Sequence, residues 1–131
     1  MERSLVLIKP DGVEKCVIGN IISMYEKNNL KVEDIKMVKV TKELAVKHYE
    51  DHIGKNFFDK LIKYITRGKV CAMILGGENA IKIIRDINGY TNPKKAKEGT
   101  IRALYGTNIT ENCVHSSDSK INAEKEINIW F

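Results

Sequence analysis

Runs of apolar residues predict four short strands along the chain. SLVLI at 4–8 and VCAMIL at 70–75 are continuous runs typical of buried strands, whereas KVEDIKMVKV at 31–40 mixes apolar and charged positions. ENCVH at 111–115 is a shorter candidate that ends in a histidine. We expect these segments to form one sheet.

Between the predicted strands, apolar residues recur at helical spacing. One stripe begins at Ile18 and ends near Asn28-Asn29, and Thr41 is placed to cap a second helix, KELAVKHYEDH. Further stripes are formed by Phe57, Phe58, Leu61, Ile62 and Ile65, by Ile81, Ile84 and Ile87, and by the segment SKINAEKEI. This order predicts an α+β fold, with one sheet and helices packed on one face.

The segment from about Tyr90 to Glu111 shows neither pattern, and we expect a long irregular loop. Such a loop in a small domain is usually functional or disordered. It contains Thr91 and Arg102, with Arg85 on the helix before it and His115 just after it. Because arginine suits bidentate contact with phosphate, the segment indicates an anion site, with surface solubility as the alternative explanation.

Composition narrows the class of protein. The 131 residues are 43% hydrophobic and 30% charged, as expected for a single globular domain spanning residues 1–131. No apolar run approaches the ~20 residues of a membrane span, and the N-terminus lacks a signal-peptide layout, so we expect no membrane association. Three scattered cysteines suit a reducing compartment, which predicts a cytoplasmic protein. The net charge of +5 favours anionic partners only weakly.

No glycine-rich phosphate-binding motif occurs. The chain contains neither GxxxxGK[ST] nor GxGxxG. A phosphate ligand would therefore be held by side chains rather than by a glycine cradle.

The three histidines differ in their surroundings. His48 and His52 lie four residues apart on a predicted polar helix, without the HExxH pattern of a metalloprotease, so we expect surface histidines. His115 ends a predicted strand that would place Cys113 on the same face. Neighbours on one strand seldom aim their reactive atoms at each other, which disfavours a Cys-His dyad.

His115 could itself be a nucleophile if one ring nitrogen is free and an acceptor orients the other. Asp118, Glu124 and Glu126 are the candidate acceptors, because a helix starting near Ser119 would run back past the strand end. From these residues alone, a catalytic and a structural histidine both remain open.

Several motifs together resemble the nucleoside diphosphate kinase family. They are SLVLIKPDGV near the start, HY followed by FF, TNP with GTIR, NCVHSSDS, and the ending AEKEINIWF. The resemblance covers essentially the whole chain, with the motifs in the family's order and spacing. It implies an enzyme that moves the γ-phosphate of a nucleoside triphosphate to a nucleoside diphosphate, through a phosphohistidine and with little base specificity.

The resemblance also implies a role for each matched residue. His115 would carry the phosphoryl group on the ring nitrogen nearer the main chain, while Glu126 and Ser117 orient the ring. Lys9 would contact the phosphoryl group and the ribose, with the Tyr49 hydroxyl as its partner. The other implied nucleotide contacts are Arg85, Thr91 and Arg102 for the phosphates, Asn112 for the sugar and Phe57 for stacking on the base.

Cofactor, assembly and fold are implied in the same way. Mg²⁺ would arrive on the nucleotide phosphates rather than in a protein cage. The family builds hexamers or tetramers from a common dimer, so a homo-oligomer is expected. Its fold is ferredoxin-like, a four-stranded antiparallel sheet with helices on one face, which agrees with the element order.

Some positions depart from the family's pattern. Ser116 stands where Gly or Ala is usual after the histidine, and Ala103-Leu104 replaces the usual Gly-Asp. Asn56 replaces a proline before Phe57, and RGKV at 67–70 replaces a commoner Gly-Pro. None of these matches a residue assigned to chemistry, so we expect activity.

Two alternatives belong to other classes of function. One is an inactive paralogue that serves as a scaffold, suggested by Ala103-Leu104. The other is a basic nucleic-acid-binding module, disfavoured because no RNP-like pattern occurs and no strand carries clustered aromatics.

Overall fold

Four strands form one antiparallel sheet. The computed structural model describes residues 1–131. The strands are β1 (Glu2–Ile8), β2 (Lys31–Lys39), β3 (Lys69–Gly77) and β4 (Val114–Ser116), in the spatial order β2-β3-β1-β4 with antiparallel neighbours throughout. All four predicted strands are confirmed, as is the ferredoxin-like α+β class.

Seven α-helices and two 3₁₀ turns connect the strands. The helices are α1 (Pro10–Glu14), α2 (Ile18–Glu26), α3 (Lys42–His48), α4 (Phe58–Ile65), α5 (Ala80–Asn88), α6 (Ile101–Tyr105) and α7 (Lys120–Trp130). The Thr41 hydroxyl caps α3 by accepting a hydrogen bond from the Leu44 amide at 3.2 Å. The predicted helix after Thr41 ends at His48 and continues only as a 3₁₀ turn at Glu50–His52. No helix of the chain is both long and apolar enough to cross a membrane.

Helices cover both faces of the sheet, whereas the sequence predicted them on one. Successive residues of β1 alternate between two cores, with Val6 and Ile8 in one and Leu5 and Leu7 in the other. Helices α2, α5 and α6 contribute to the first core, and α3, α4 and α7 contribute to the second. The cause is the continuous apolar character of β1 and β3, which leaves two apolar faces to bury.

The stretch between α5 and β4 is more ordered than the predicted loop. It holds a 3₁₀ turn at Pro93–Lys95 and the short helix α6. The Asn92 side chain caps the turn, and the Thr100 hydroxyl caps α6. These elements are too short to produce a repeating apolar stripe, so the sequence pattern could not reveal them.

The segment leading into β4 has a special backbone. Cys113 has a φ of 78° and precedes the strand, so the prediction that Cys113 and His115 share a strand face is wrong. The buried Asp11 carboxylate accepts the Cys113 amide at 2.9 Å and the Tyr64 hydroxyl. Gly12 allows this approach, because a β-carbon there would lie 2.8 Å from the Cys113 Sγ. These contacts fix the chain just before His115.

Candidate active site

A cavity of about 780 Å³ opens beside β4, between α3, α4 and the segment that contains α6. Nine of the ten residues singled out in the sequence line it: Lys9, Tyr49, Phe57, Arg85, Thr91, Arg102, Asn112, His115 and Glu126. The tenth, Ser117, is buried behind the cavity and contacts Glu126. One site therefore brings together side chains from most of the chain's length.

The His115 ring is held at one nitrogen. Its Nε2 lies 3.1 Å from the Glu126 Oε1, and the Ser117 hydroxyl donates to the same oxygen at 2.7 Å. A carboxylate accepts hydrogen bonds, so the ring proton lies on Nε2. The Nδ1 atom makes no hydrogen bond within the chain, and its lone pair is available to a ligand.

Of the three candidate acceptors, only Glu126 reaches the ring. The Asp118 carboxylate accepts instead from the Asn122 side chain at 2.6 Å, which also lowers the pKa of Asp118. Glu124 pairs with Arg3 at 3.4 Å.

Helix α7 sets the position of the orienting carboxylate. The Ser119 hydroxyl accepts a hydrogen bond from the Asn122 amide at 3.1 Å and caps the start of α7. Ser119 lies three residues after the end of β4, the strand that carries His115. Ala123, Ile127 and Trp130 are buried, and Ile127 and Trp130 pack in the core below β1. With that face of the helix fixed, Glu126 points back toward β4.

His48 is not the surface residue that the sequence suggested. Its ring packs edge-on against His115, with centroids 4.7 Å apart, and its Nδ1 accepts a hydrogen bond from the Trp130 indole at 3.1 Å. Burial, followed by the nearby His115 and Lys9, lowers the pKa of His48 well below its usual value. The HxxxH spacing could not reveal this, because the partner Trp130 is 82 residues away.

His52 is also part of the site rather than a freely exposed side chain. It lines the cavity, and its ring lies 5.3 Å from that of Phe57. No group of three or more His, Cys, Asp or Glu side chains in the chain is placed to hold a metal ion.

Two cationic side chains of the cavity are held with little freedom. Lys9 is only 8% exposed, and its Nζ donates to the Thr110 carbonyl at 3.3 Å. Burial, reinforced by Arg102, lowers the pKa of Lys9 to about 8, although Asp11 acts in the opposite direction. The Arg102 guanidinium donates to the Gly89 and Val114 carbonyls, both at 2.8 Å. Burial also lowers the pKa of Arg102 from its usual value.

Two polar atoms of the cavity wall lack partners. They are the Arg102 Nε and the Asn112 Oδ1, and they are the only buried side-chain polar atoms in the chain without a hydrogen bond. The Asn112 amide nitrogen meanwhile donates to the Thr91 carbonyl at 3.0 Å. Arg85 also makes no salt bridge or side-chain hydrogen bond within the protein. Unpaired buried polar atoms are costly, so the Arg102 Nε and the Asn112 Oδ1 indicate a polar ligand, and the exposed Arg85 guanidinium is free to contact one.

The far end of the cavity is apolar. Phe57, Leu61 and Ile109 line it, and Phe57 remains 45% exposed. Tyr49 lies between this end and His115. Burial raises the pKa of Tyr49 above its usual value, so the hydroxyl stays protonated and can donate a hydrogen bond. A flat ring-sized ligand group fits the apolar end, and an anionic group fits the end near Arg85 and Arg102.

Some residues of the site carried no chemical assignment in the sequence. Asp11 lies in the KPDG segment but acts through the backbone of Cys113 and through Tyr64. Its place in the KPDG motif was the only feature of the sequence that could have indicated a role for Asp11. For His48, the only such feature was its position next to Tyr49.

Comparisons with known proteins agree on one family. A family model described as nucleoside diphosphate kinase matches residues 2–131. Proteins named nucleoside diphosphate kinase from Clostridium perfringens and Staphylococcus epidermidis are 55% and 50% identical over 131 residues, covering all of this chain and 92% and 88% of theirs. A solved nucleoside diphosphate kinase from Halobacterium salinarum, in complex with CDP, superposes with a TM-score of 0.96 at 39% identity, covering 99% of this chain and 87% of that one.

Proposed function

This chain belongs to the nucleoside diphosphate kinase family, and we propose that His115 is the residue through which its phosphotransfer proceeds. As a member of the family it is an enzyme that transfers phosphoryl groups between nucleotides. The observation that carries the proposal is the free Nδ1 of His115, opposite the Nε2 that Glu126 and Ser117 hold.

The proposed reaction has two half-reactions at one nitrogen. The His115 Nδ1 lone pair forms a bond to the γ-phosphorus of a nucleoside triphosphate while the bond to the β,γ-bridging oxygen breaks. The electron pair of that bond leaves on the nucleoside diphosphate. A terminal phosphate oxygen of a second nucleoside diphosphate then forms a bond to the phosphorus while the Nδ1–phosphorus bond breaks. The electron pair of that bond returns to Nδ1, which restores the neutral ring.

The proton on Nε2 stays in place throughout this sequence. Phosphorylation of Nδ1 increases the positive character of the ring, and the Glu126 carboxylate stabilises it at 3.1 Å. Ser117 fixes the carboxylate by donating to it. These residues act on the nucleophile rather than on the nucleotide.

The cations of the cavity are assigned to the phosphates. Phosphoryl transfer requires positioning and charge stabilisation more than covalent help from the protein. Arg85 and Arg102 present positive charge to the same space as His115, and the Thr91 hydroxyl adds a neutral donor. Lys9 with Tyr49 contacts the transferring group, and Lys9 with Asn112 contacts the sugar, whose hydroxyl can donate to the unpaired Asn112 Oδ1.

The apolar end of the cavity is assigned to the base. Phe57 offers a stacking face, and its neighbours Leu61 and Ile109 offer no hydrogen bond to a base edge. Stacking contributes about 1–3 kcal/mol for any base, so we propose little base specificity. The kcat/KM values for ATP, GTP, CTP and UTP are expected to lie within about one to two decades.

The residues around the phosphate end fit a metal that the nucleotide brings. Positive side chains dominate there, and the chain has no cluster of three metal-ligating groups. We propose that Mg²⁺ is held by phosphate oxygens and water, where it would neutralise phosphate charge. The protein's own part is to orient the phosphates with Arg85 and Arg102.

Steady-state kinetics test the two-step scheme. If the first product leaves before the second substrate binds, double-reciprocal plots at several concentrations of diphosphate are parallel. Intersecting lines would mean direct transfer between two bound nucleotides and would exclude a role for His115 as carrier. An inactive scaffold or a nucleic-acid-binding module would show no turnover in the same assay.

The wider setting of the enzyme is also proposed. Three free cysteines at separate places in the fold support a reducing cytoplasm. Both cores share one sheet, which supports treating residues 1–131 as one domain. We propose a homo-oligomer, a hexamer or tetramer built from dimers.

A further inference from the structure

A chain of hydrogen bonds runs from the core to the cavity. The Tyr25 hydroxyl on α2 donates to the Asn88 Oδ1 at 2.6 Å, and the Asn88 Nδ2 donates to the Ser116 Oγ at 3.1 Å. Tyr25 and Asn88 are both fully buried, within or beside the apolar core that α2 and α5 share. Polar groups in such a place are costly unless all of them are paired.

The direction of these hydrogen bonds follows from the buried hydroxyl. The Tyr25 hydroxyl has no acceptor in the chain other than Asn88, and burial raises the pKa of Tyr25 above its usual value, so it keeps its proton. That proton must point to the Asn88 Oδ1, which turns the Asn88 amide nitrogen toward Ser116. The reversed arrangement would leave the Tyr25 proton unpaired in the core.

The Ser116 hydroxyl oxygen therefore accepts a hydrogen bond from Asn88 on the side facing the core, and the hydroxyl proton is left without a partner. A serine hydroxyl has one proton to donate, and the Ser116 hydroxyl has no acceptor within the chain. The residue is half-buried and lines the cavity together with Arg85, Arg102 and His115.

Arg102 anchors the same corner of the site. Its guanidinium donates to the carbonyl of Gly89, which follows Asn88, and to that of Val114, two residues before Ser116 on β4. The Ser116 hydroxyl and the Arg102 charge are thus tied to the same two backbone segments. An anion held by Arg102 would supply the acceptor that Ser116 lacks.

We propose that Ser116 is a further substrate-contacting residue, whose hydroxyl, oriented by Asn88 and Tyr25, donates a hydrogen bond to a phosphate oxygen of the bound nucleotide. This inference rests on the proposed nucleotide site. A hydrogen bond to a charged oxygen is stronger than one between neutral groups, and acceptance from Asn88 polarises the hydroxyl further.

Calorimetric titration of ADP and adenosine into the Ser116→Ala protein tests the contact. We expect ADP affinity to fall about 5- to 30-fold and adenosine affinity to change less than about twofold, because adenosine has no phosphate. Ser23→Ala, on α2 and outside the cavity, is the matched control. Unchanged ADP affinity, or an equal loss for both ligands, would overturn the inference.

The Tyr25→Phe protein tests the orienting chain without touching the cavity. Without the Tyr25 hydroxyl, the Asn88 amide can turn and accept the Ser116 proton, so ADP affinity should fall about two- to fivefold. The double variant with Ser116→Ala should bind ADP no more weakly than Ser116→Ala alone. Full additivity of the two losses would contradict the orienting role. Circular dichroism confirms that each variant is folded.

A separate variant distinguishes failure of this inference from failure of the site. Arg85→Gln should weaken ADP binding, because Arg85 lies in the cavity with no protein partner. Normal ADP binding by Arg85→Gln would overturn the nucleotide site itself. Weak binding by Arg85→Gln with normal binding by Ser116→Ala would overturn only the role of Ser116.

Discussion

Lys9 shows how burial at a single residue prepares the site for an anion. Its ammonium lies beside Arg102 with little solvent, which lowers its pKa from 10.5 to about 8 in the free protein. The lowered pKa means that the unfolded chain binds the proton more tightly, so between pH 8 and 10.5 the free protein gains stability as the pH rises. A phosphate beside Lys9 would reverse this shift, because an opposite charge favours the ammonium.

Nucleotide affinity should therefore depend on pH through Lys9. Below about pH 8, Lys9 of the free protein is already protonated, whereas above pH 8 the protein must take up a proton at Lys9 when ADP binds. ADP affinity should therefore be about tenfold lower at pH 9.5 than at pH 7.5. Calorimetry at both pH values measures this. Lys9→Arg, which does not titrate, should lose the dependence, and Lys82→Met on the exposed face of α5 should keep it. An ADP affinity that is flat over this range in the unaltered protein would contradict the role of Lys9.

For individual residues, the sequence identified the candidate site residues but not which side chains contact each other. Three carboxylates were possible partners for His115, and only the folded course of α7 distinguishes Glu126 from Asp118 and Glu124. The packing of His48 against His115 was missed because it depends on Trp130, at the other end of the chain. Sequence spacing reports neighbours on one element, and these contacts join separate elements.

Helix α7 determines how firmly the ring of His115, the proposed nucleophile, is oriented. Glu126 reaches His115, whereas Glu124, two residues earlier on the same helix, pairs with Arg3 outside the cavity. Glu126→Ala should lower kcat/KM by about 10- to 100-fold, the size of effect seen when a residue that orients a ligating histidine is removed. Glu124→Ala is the matched control and should leave kcat/KM within about twofold. Equal activity of the two variants would mean that Glu126 does not orient the ring.

Elements with a repeating pattern were predicted, and elements without one were not. The stripes from Ile18 and from Ile81 became α2 and α5, each ending at or within two residues of its predicted stop. The five-residue helices α1 and α6 were missed, since one turn and a half gives too few positions for periodicity to appear. Strand β4 begins at Val114 rather than at Glu111, where the sequence predicted it, because Asp11 holds Cys113 in a left-handed conformation.

For the whole molecule, the edge of the sheet is the feature that favours assembly. Strand β2 is at one end of the sheet and exposes Ile35 and Met37, each 46% accessible. An unpaired edge with apolar side chains is a surface that proteins usually cover. Light scattering should therefore find a mass of at least twice the 14.9 kDa of the single chain. Ile35→Glu should lower that mass, whereas Ile121→Glu, on the exposed face of α7, should not. A fully active species of 14.9 kDa at working concentration would refute the assembly.

The antiparallel sheet of the whole molecule could be predicted from the sequence, whereas the number of sheet faces covered by helices could not. The order of strands and helices, with the resemblance to a known family, indicated the antiparallel sheet. Placing helices on one face failed because β1 and β3 each contain an uninterrupted apolar run, at 5–8 and at 70–75, and such a run does not reveal that both of its faces need covering.

The central claim is that His115 carries the phosphoryl group, and labelling tests it most directly. After incubation with ATP labelled at the γ-phosphate and removal of nucleotide, the protein should retain a label that is lost in acid and stable in base, as expected for phosphohistidine. His115→Gln should retain none while still binding ADP, because the cations of the cavity are unchanged. A label that survives acid, or one that persists in His115→Gln, would contradict the account.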